Sequence, residues 1–202
     1  MDPRIEHLEP DCFYHIYNTG INGCKIFYNQ ENYDFLLRQF TKYALDVCDV
    51  YAYCLMPNHF NFVLKIKDKE SISIFANQKL KIKPDSEGGL HCELNIASKQ
   101  VGKLMSSYSQ AFNKVYGRHG PLLESPFKRE KIDSEGYLKN LILYIHKNPT
   151  GLNKDFKNYK YPSYQSIISK SKTKLMRNEV IKLFNDVDNF IHCHDKEINF
   201  NF

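Results

Sequence analysis

The run CLMPNHFNFVLK, residues 54–65, sets a histidine and an asparagine two positions apart at the start of an apolar segment. Side chains two apart on a β-strand leave the same face, so His59 and Asn61 would stand side by side while Phe60, Phe62 and Leu64 turn the other way. An imidazole nitrogen and an amide oxygen can share one divalent cation, and they can equally form a polar edge with no chemistry. Basic residues lie nearby in the sequence. Lys65 follows on the same strand, Arg118 sits in a glycine-bounded loop, and FKREKID at 127–133 carries Lys128, Arg129 and Lys131. Alternation puts Lys128, Glu130 and Ile132 on one face and Arg129 and Lys131 outward on the other. Such a strand suits a phosphate backbone as well as it suits an ordinary soluble edge. The cluster His192-Cys193-His194 has the look of a metal clip, but with no distant partners it reads as a helix end.

Positioning these groups requires a sheet and the helices that cover it. Residues 12–18, CFYHIYN, read as a first strand closed by the turn signals Thr19-Gly20 and Asn22-Gly23, with His15 and Tyr17 on one face. Tyr33, Leu36, Leu37, Phe40, Ala44 and Val47 recur at helical spacing over 31–47. Residues 50–56 and 59–67 read as two strands of a hairpin turned by Pro57-Asn58. The pattern fades from 67 to 99 into an expected long, partly mobile insertion. A helix over 97–116 follows, with Val101, Leu104, Met105, Tyr108, Phe112 and Val115 on one side and Gly117 and Gly120 ending it. A strand at 127–133 and a helix at 135–147, stopped by Asn148-Pro149, come next. The order β, α, β, β, α, β predicts an α+β fold, a ferredoxin-like antiparallel sheet covered by helices. Residues 1–150 read as one domain and 151–202 as a C-terminal extension of the same core, ending in a helix near 176–191.

Composition narrows the classes. The chain has 202 residues, 42% of them hydrophobic, enough to bury a real core. No apolar run approaches the roughly 18 residues a membrane span needs, and MDPRIEHLEP lacks the order of a signal peptide, so a cytoplasmic location is expected. Six cysteines form no Cys-x-x-Cys pair and read as reduced thiols. A net charge of +5 permits nucleic-acid binding without demanding it, while 14 Tyr and 14 Phe offer flat surfaces on which unpaired bases can stack.

YAYCLMPNHFNFVLK resembles the HUH motif region of the single-tyrosine transposases of the HUH superfamily, the insertion-sequence-200-like and REP-associated tyrosine transposases. YSQAFNKVYGRHGPLLESPFKRE, YLKNLILYIHKNPTGLNKDFKNYKYPSYQS and RNEVIKLFNDVDNFIHCHD resemble the same family in the same order. The resemblance implies a metal-dependent enzyme that cleaves single-stranded, hairpin-forming DNA with a tyrosine hydroxyl. Cleavage leaves a 5′-phosphotyrosine link and a free 3′-OH, and rejoining follows. It further implies Mg²⁺ or Mn²⁺ as cofactor, single-stranded or hairpin DNA as partner, no membrane, and a monomer or homodimer. His59 and Asn61 fall at the metal-binding positions, with Asn61 where the family carries its second histidine, so a weakened cation site is expected. The resemblance assigns the nucleophile to Tyr108, with Tyr116 as runner-up. Asn113, five residues and about 140° around the helix from Tyr108, is the candidate for a third ligand or DNA contact. Position alone favours core packing for Tyr108, which belongs to the apolar stripe.

Two other readings stand beside this one. With its second histidine gone, the chain could be a relative that binds hairpin or single-stranded DNA without cutting it. An RNA-binding ferredoxin-like module ranks last, since the chain lacks the Lys/Arg-Gly-aromatic run of such modules.

Overall fold

The computed structural model describes residues 7–82 and 93–196. Four strands form one antiparallel sheet: β1 (Phe13–Thr19), β2 (Cys48–Met56), β3 (His59–Ile66) and β4 (Lys128–Ile132), in the order β2-β3-β1-β4. Helices α1 (Gln30–Tyr43), α2 (Lys69–Phe75), α3 (Glu93–Tyr116) and α4 (Glu135–Lys147) are followed by α5 (Tyr164–Ile168), α6 (Arg177–Leu183) and α7 (Val187–Asp195). This is the ferredoxin-like α+β architecture that the alternation of patterns predicts.

Each face of the sheet has its own core. On one side Tyr14, Ile16, Phe60, Phe62 and Leu64 pack with Leu36 and Phe40 of α1 and with Val101, Leu104 and Phe112 of α3. On the other, Ala52, Cys54, Met56 and Val63 pack with Leu138, Leu141, Ile142 and Ile145 of α4 and with Phe156, Tyr164, Val180, Phe184 and Phe190 of the extension. The alternation along β3 thus assigns His59 and Asn61 to the α4 side. On β2 a register shift between Val50 and Ala52 changes the parity, so that Val50 faces α1 while Cys54 and Met56 pair with Asn61 and His59 on the α4 side.

The extension covers the exposed edge of β2. Leu55 N–H donates to Tyr161 O (3.2 Å), Ser163 N–H to Tyr53 O (2.8 Å) and Met176 N–H to Val50 O (2.8 Å). Two expectations need correction. The segment after 67 is helical over 69–80 rather than patternless, and α3 starts at Glu93; residues 83–92 of the expected insertion lie outside the described residues. The final helix is two helices, broken where Asn185 takes a positive φ of 71° and Asp186 caps α7 by accepting from Asn189 N–H. No helix among the described residues is long and apolar enough to cross a membrane. Cys12, Cys24, Cys48, Cys54 and Cys193 are free thiols.

Candidate functional site

His59 opens β3 directly after the Pro57-Asn58 turn, and the loop after β1 holds that turn in place. Gly20 N–H donates to Asn58 O (2.8 Å), and Ile26 and Phe27 N–H donate to Pro57 O (2.8 and 3.1 Å). The approach is so close at Gly20 that a β-carbon there would lie 2.2 Å from Cys24 O. His15 and Tyr17 of β1 share the face of His59 and Asn61, with Tyr17 opposite Asn61 in register, and Glu130 lies opposite His15 on β4. Across from this sheet face runs one stripe of α4: Tyr137, Leu141, Tyr144 and, at the helix end, Asn148, spaced at four, three and four residues. Together these nine side chains line a cleft of ≈ 300 Å³.

A continuous polar network runs through the cleft. Asn148 Nδ2 donates to Tyr144 O (2.9 Å), occupying one of the carbonyls that a helix C-terminus leaves unpaired, and this aims Oδ1 at the sheet. There it accepts from Asn61 Nδ2 (3.0 Å) and lies 3.5 Å from His59 Nε2. Asn61 Oδ1 is 2.9 Å from His15 Nε2. His59 Nδ1 is 2.9 Å from Asn58 Oδ1. A proton on Nδ1 satisfies that contact and leaves the Nε2 lone pair facing Asn148 Oδ1. Burial holds the His59 pKa below the ordinary imidazole value, so the ring is neutral at physiological pH. Glu130 accepts from Tyr17 Oη (3.0 Å) and lies 3.9 Å from His15 Nδ1, and the neighbouring His15 heads the causes that hold its carboxyl below the usual carboxylate range. Burial raises the Tyr17 phenol to about 12.

These donors fit a divalent cation, with a weak set of ligands. His59 Nε2 and Asn148 Oδ1 are two acceptors 3.5 Å apart, compatible with adjacent places in a shell whose neighbouring donors lie about 3 Å from each other. Asn61 Oδ1 would join them after rotation of its amide away from His15. All three are neutral, and among the described residues no three His, Cys, Asp or Glu side chains gather to hold a metal.

The structure does not bring Tyr108 to this site. It is 1% exposed on the α3 side of the sheet, ringed by Phe27, Phe35 and Phe112, and its hydroxyl donates to Ile26 O. Burial raises its pKa far above that of a free phenol, the opposite of what a nucleophile needs. Tyr108 is a core residue. Tyr116 stands on the same side of the sheet, accepting from Asn29 Nδ2 (3.2 Å). Asn113 is also absent from the cleft; its Nδ2 donates to Gly120 O (2.7 Å) and closes the loop after α3. Of the five basic residues, Lys128 stands beside the cleft, over the Tyr17 ring at 5.7 Å and paired with Glu124 at 3.1 Å. Lys65 pairs with Asp11 (3.5 Å) and Lys131 with Glu9 (2.6 Å). Arg118 lies over Phe112 at the end of α3. Arg129 points inward rather than outward: it is 8% exposed, stacked 4.0 Å over Phe127 and bonded to Ser98 Oγ of α3 (3.0 Å).

The cleft residues missed in the sequence are Tyr144 and Asn148, with Tyr137 and Glu130. The signal was there in YIHKNP, where Tyr144 and Asn148 are four apart and share a helix face. Tyr144, 36% exposed, is the most exposed phenol of the cleft.

No protein family profile and no curated protein sequence matches this chain. Among solved structures it is similar to a REP-associated tyrosine transposase bound to a REP hairpin, at 11% identity over 84% of this chain and 87% of that one, with a TM-score of 0.55. A bacterial tRNA(His) guanylyltransferase-like protein in complex with GTP (12% identity, 75% and 70% covered, TM-score 0.42) also aligns. So does the tRNA(His) guanylyltransferase of Saccharomyces cerevisiae (12%, 94% and 78%, TM-score 0.42). The likeness is one of fold: this chain shares the fold of that REP-associated tyrosine transposase.

Proposed function

We propose that the chain processes single-stranded DNA beside a hairpin, cutting and rejoining it through a 5′-phosphotyrosine intermediate on Tyr144. The observation that carries this reading is the cleft itself, in which an accessible phenol on α4 shares one cavity with His59, Asn61 and Asn148. The fold supports it, since the transposase of similar fold was solved on a hairpin.

In this reading the Tyr144 oxygen attacks the scissile phosphorus as the phenolic proton departs, forming the P–O bond to the tyrosine. The bond from phosphorus to the 3′ oxygen breaks, and that oxygen takes up a proton. Attack of a 3′-OH on the phosphotyrosine reverses the sequence and joins two ends. His59, Asn148 and a rotated Asn61 would hold Mg²⁺ or Mn²⁺. When bound, such an ion polarises the phosphate and offsets its growing charge. The chain's own contribution is orientation: Asn148, fixed by the Tyr144 carbonyl, ties the nucleophile's helix to the sheet. Lys128, at the rim, meets the DNA backbone.

The test is a labelled hairpin oligonucleotide with single-stranded flanks, incubated with Mn²⁺ and resolved under denaturing conditions. Wild type and Tyr108→Phe should form a protein–DNA adduct, and Tyr144→Phe should form none. An adduct that survives Tyr144→Phe overturns the assignment. A second reading, hairpin binding without cleavage, is favoured by the closure of Asn61 onto His15 and Asn148, which engages both ends of its amide without a cation. Its signature is salt-dependent binding, no adduct, and no effect of metal.

A further inference from the structure

A second concavity of ≈ 490 Å³ opens on the other side of the Pro57-Asn58 turn, lined by Lys25, Phe27, Tyr28, Tyr33 and Pro57. Its walls are aromatic and preformed. Phe27 stacks on Tyr33 (4.2 Å, 13°), and Tyr33 stacks in turn on Tyr161 (3.7 Å, 6°), giving three nearly parallel rings. Tyr28 is 53% exposed. Its ring is set by edge contacts to Phe112 (5.0 Å) and Tyr116 (4.7 Å), and its backbone N–H donates to Asn32 Oδ1 (2.8 Å). A large aromatic left this open yet held this firmly is poorly explained by folding alone. Cationic groups accompany the rings: Lys25 is exposed on the rim, and Lys160 Nζ lies 5.7 Å over Tyr161.

We propose that this pocket seats one unpaired base of the DNA strand that leaves the cleft, stacked against Tyr28, with Lys25 on the adjoining phosphate. The chemistry fits that ligand. A nucleobase is a flat π-system bearing an anionic link on either side, and aromatic rings with interleaved lysines complement both parts. The position fits as well, because the two sites share one two-residue turn. Pro57 lines the pocket, and its carbonyl is held by Ile26 and Phe27, while Asn58 on the far side holds His59. A strand engaged at His59 therefore reaches the pocket by passing around the end of the sheet. The inference rests on the proposed DNA reading and adds to it a seat for the single-stranded flank.

The experiment places 2-aminopurine at successive positions of the flank of a hairpin oligonucleotide and follows its fluorescence as the full chain is added. The protein has no Trp to interfere. One position should be quenched on binding, and Tyr28→Ala should relieve the quenching and weaken the flanked hairpin by about tenfold or more. Tyr28→Phe, which keeps the ring, should behave as wild type, and Lys25→Ala should weaken binding without relieving the quenching. A hairpin without flanks should bind wild type and Tyr28→Ala equally. Hairpin binding with no quenched position, or an equal loss on both hairpins, overturns the base seat and leaves the cleft reading standing. No binding of any hairpin overturns both, whereas a quenched position without an adduct supports the seat and removes cleavage.

Discussion

Tyr144 and Tyr108 are both tyrosines on helices beside the same sheet, and burial separates their roles. The Tyr108 hydroxyl donates to Ile26 O in the buried core, so Tyr108→Phe should cost about 1–3 kcal/mol of stability, read as a lower denaturation midpoint, with adduct formation intact. Tyr144→Phe, at a more exposed position, should lower the midpoint less than Tyr108→Phe does while abolishing the adduct. The two variants measured together separate a structural phenol from a reacting one. Asn61 offers a third comparison. Asn61→His replaces an amide engaged with His15 and Asn148 by an imidazole, so Mn²⁺ affinity, measured by calorimetry without DNA, should rise; equal or weaker affinity would mean that the amide is already the better ligand here.

Helix α4 and its C-terminal end carry four of the nine cleft residues, and a buried relay fixes the helix against the rest of the chain. Tyr53 N–H donates to Ser163 Oγ (2.9 Å), Ser163 Oγ–H donates to His146 Nε2 (2.7 Å), His146 Nδ1–H donates to His194 Nε2 (2.9 Å), and His194 Nδ1–H donates to Phe190 O (2.7 Å). Every polar atom of both neutral rings is satisfied, within walls made by Phe156, Tyr164, Phe184 and Phe190. His194→Ala removes a packed ring and strands two partners, so a loss of about 3–5 kcal/mol is expected in chemical denaturation. Burial lowers the His194 pKa to about 4 and lowers that of His146. Because the unfolded chain takes up these protons first, the relay's contribution is complete above about pH 6.5 and is lost as pH falls from there toward 4. Denaturation midpoints should therefore drop across that window, and the drop should shrink in His194→Gln. On the opposite side of the cleft, Gly20→Ala forces a β-carbon onto Cys24 O and should displace the turn that holds His59, costing about 1–3 kcal/mol.

At the scale of the whole molecule, a net charge of +5 is spread thinly, and Lys65, Lys67, Lys79 and Lys131 are engaged by carboxylates. Few phosphates can be neutralised at once, so hairpin affinity should fall with salt on a log–log slope no steeper than about −4, and a steeper slope would point to a basic surface beyond the cleft rim. The strands, the hairpin turn and the helical faces were legible in the sequence because each follows from a local period of two or 3.6 residues. The pairing of His59 with Asn61 on one face was legible for the same reason. Which helix would face them was not. Periodicity marks an apolar stripe without saying which side of a sheet it will cover, so the stripe of α3 gave Tyr108 a buried place but not its side of the sheet, and nothing in the pattern set Tyr144 of α4 opposite His59. The inward turn of Arg129 was hidden likewise, since alternation gives two faces to a strand but does not say that both are buried. The chain's own residues determined its elements and the polar pair at the head of β3; only the packing of α3 on one face and α4 on the other decided which phenol is sealed in the core and which opens onto the cleft.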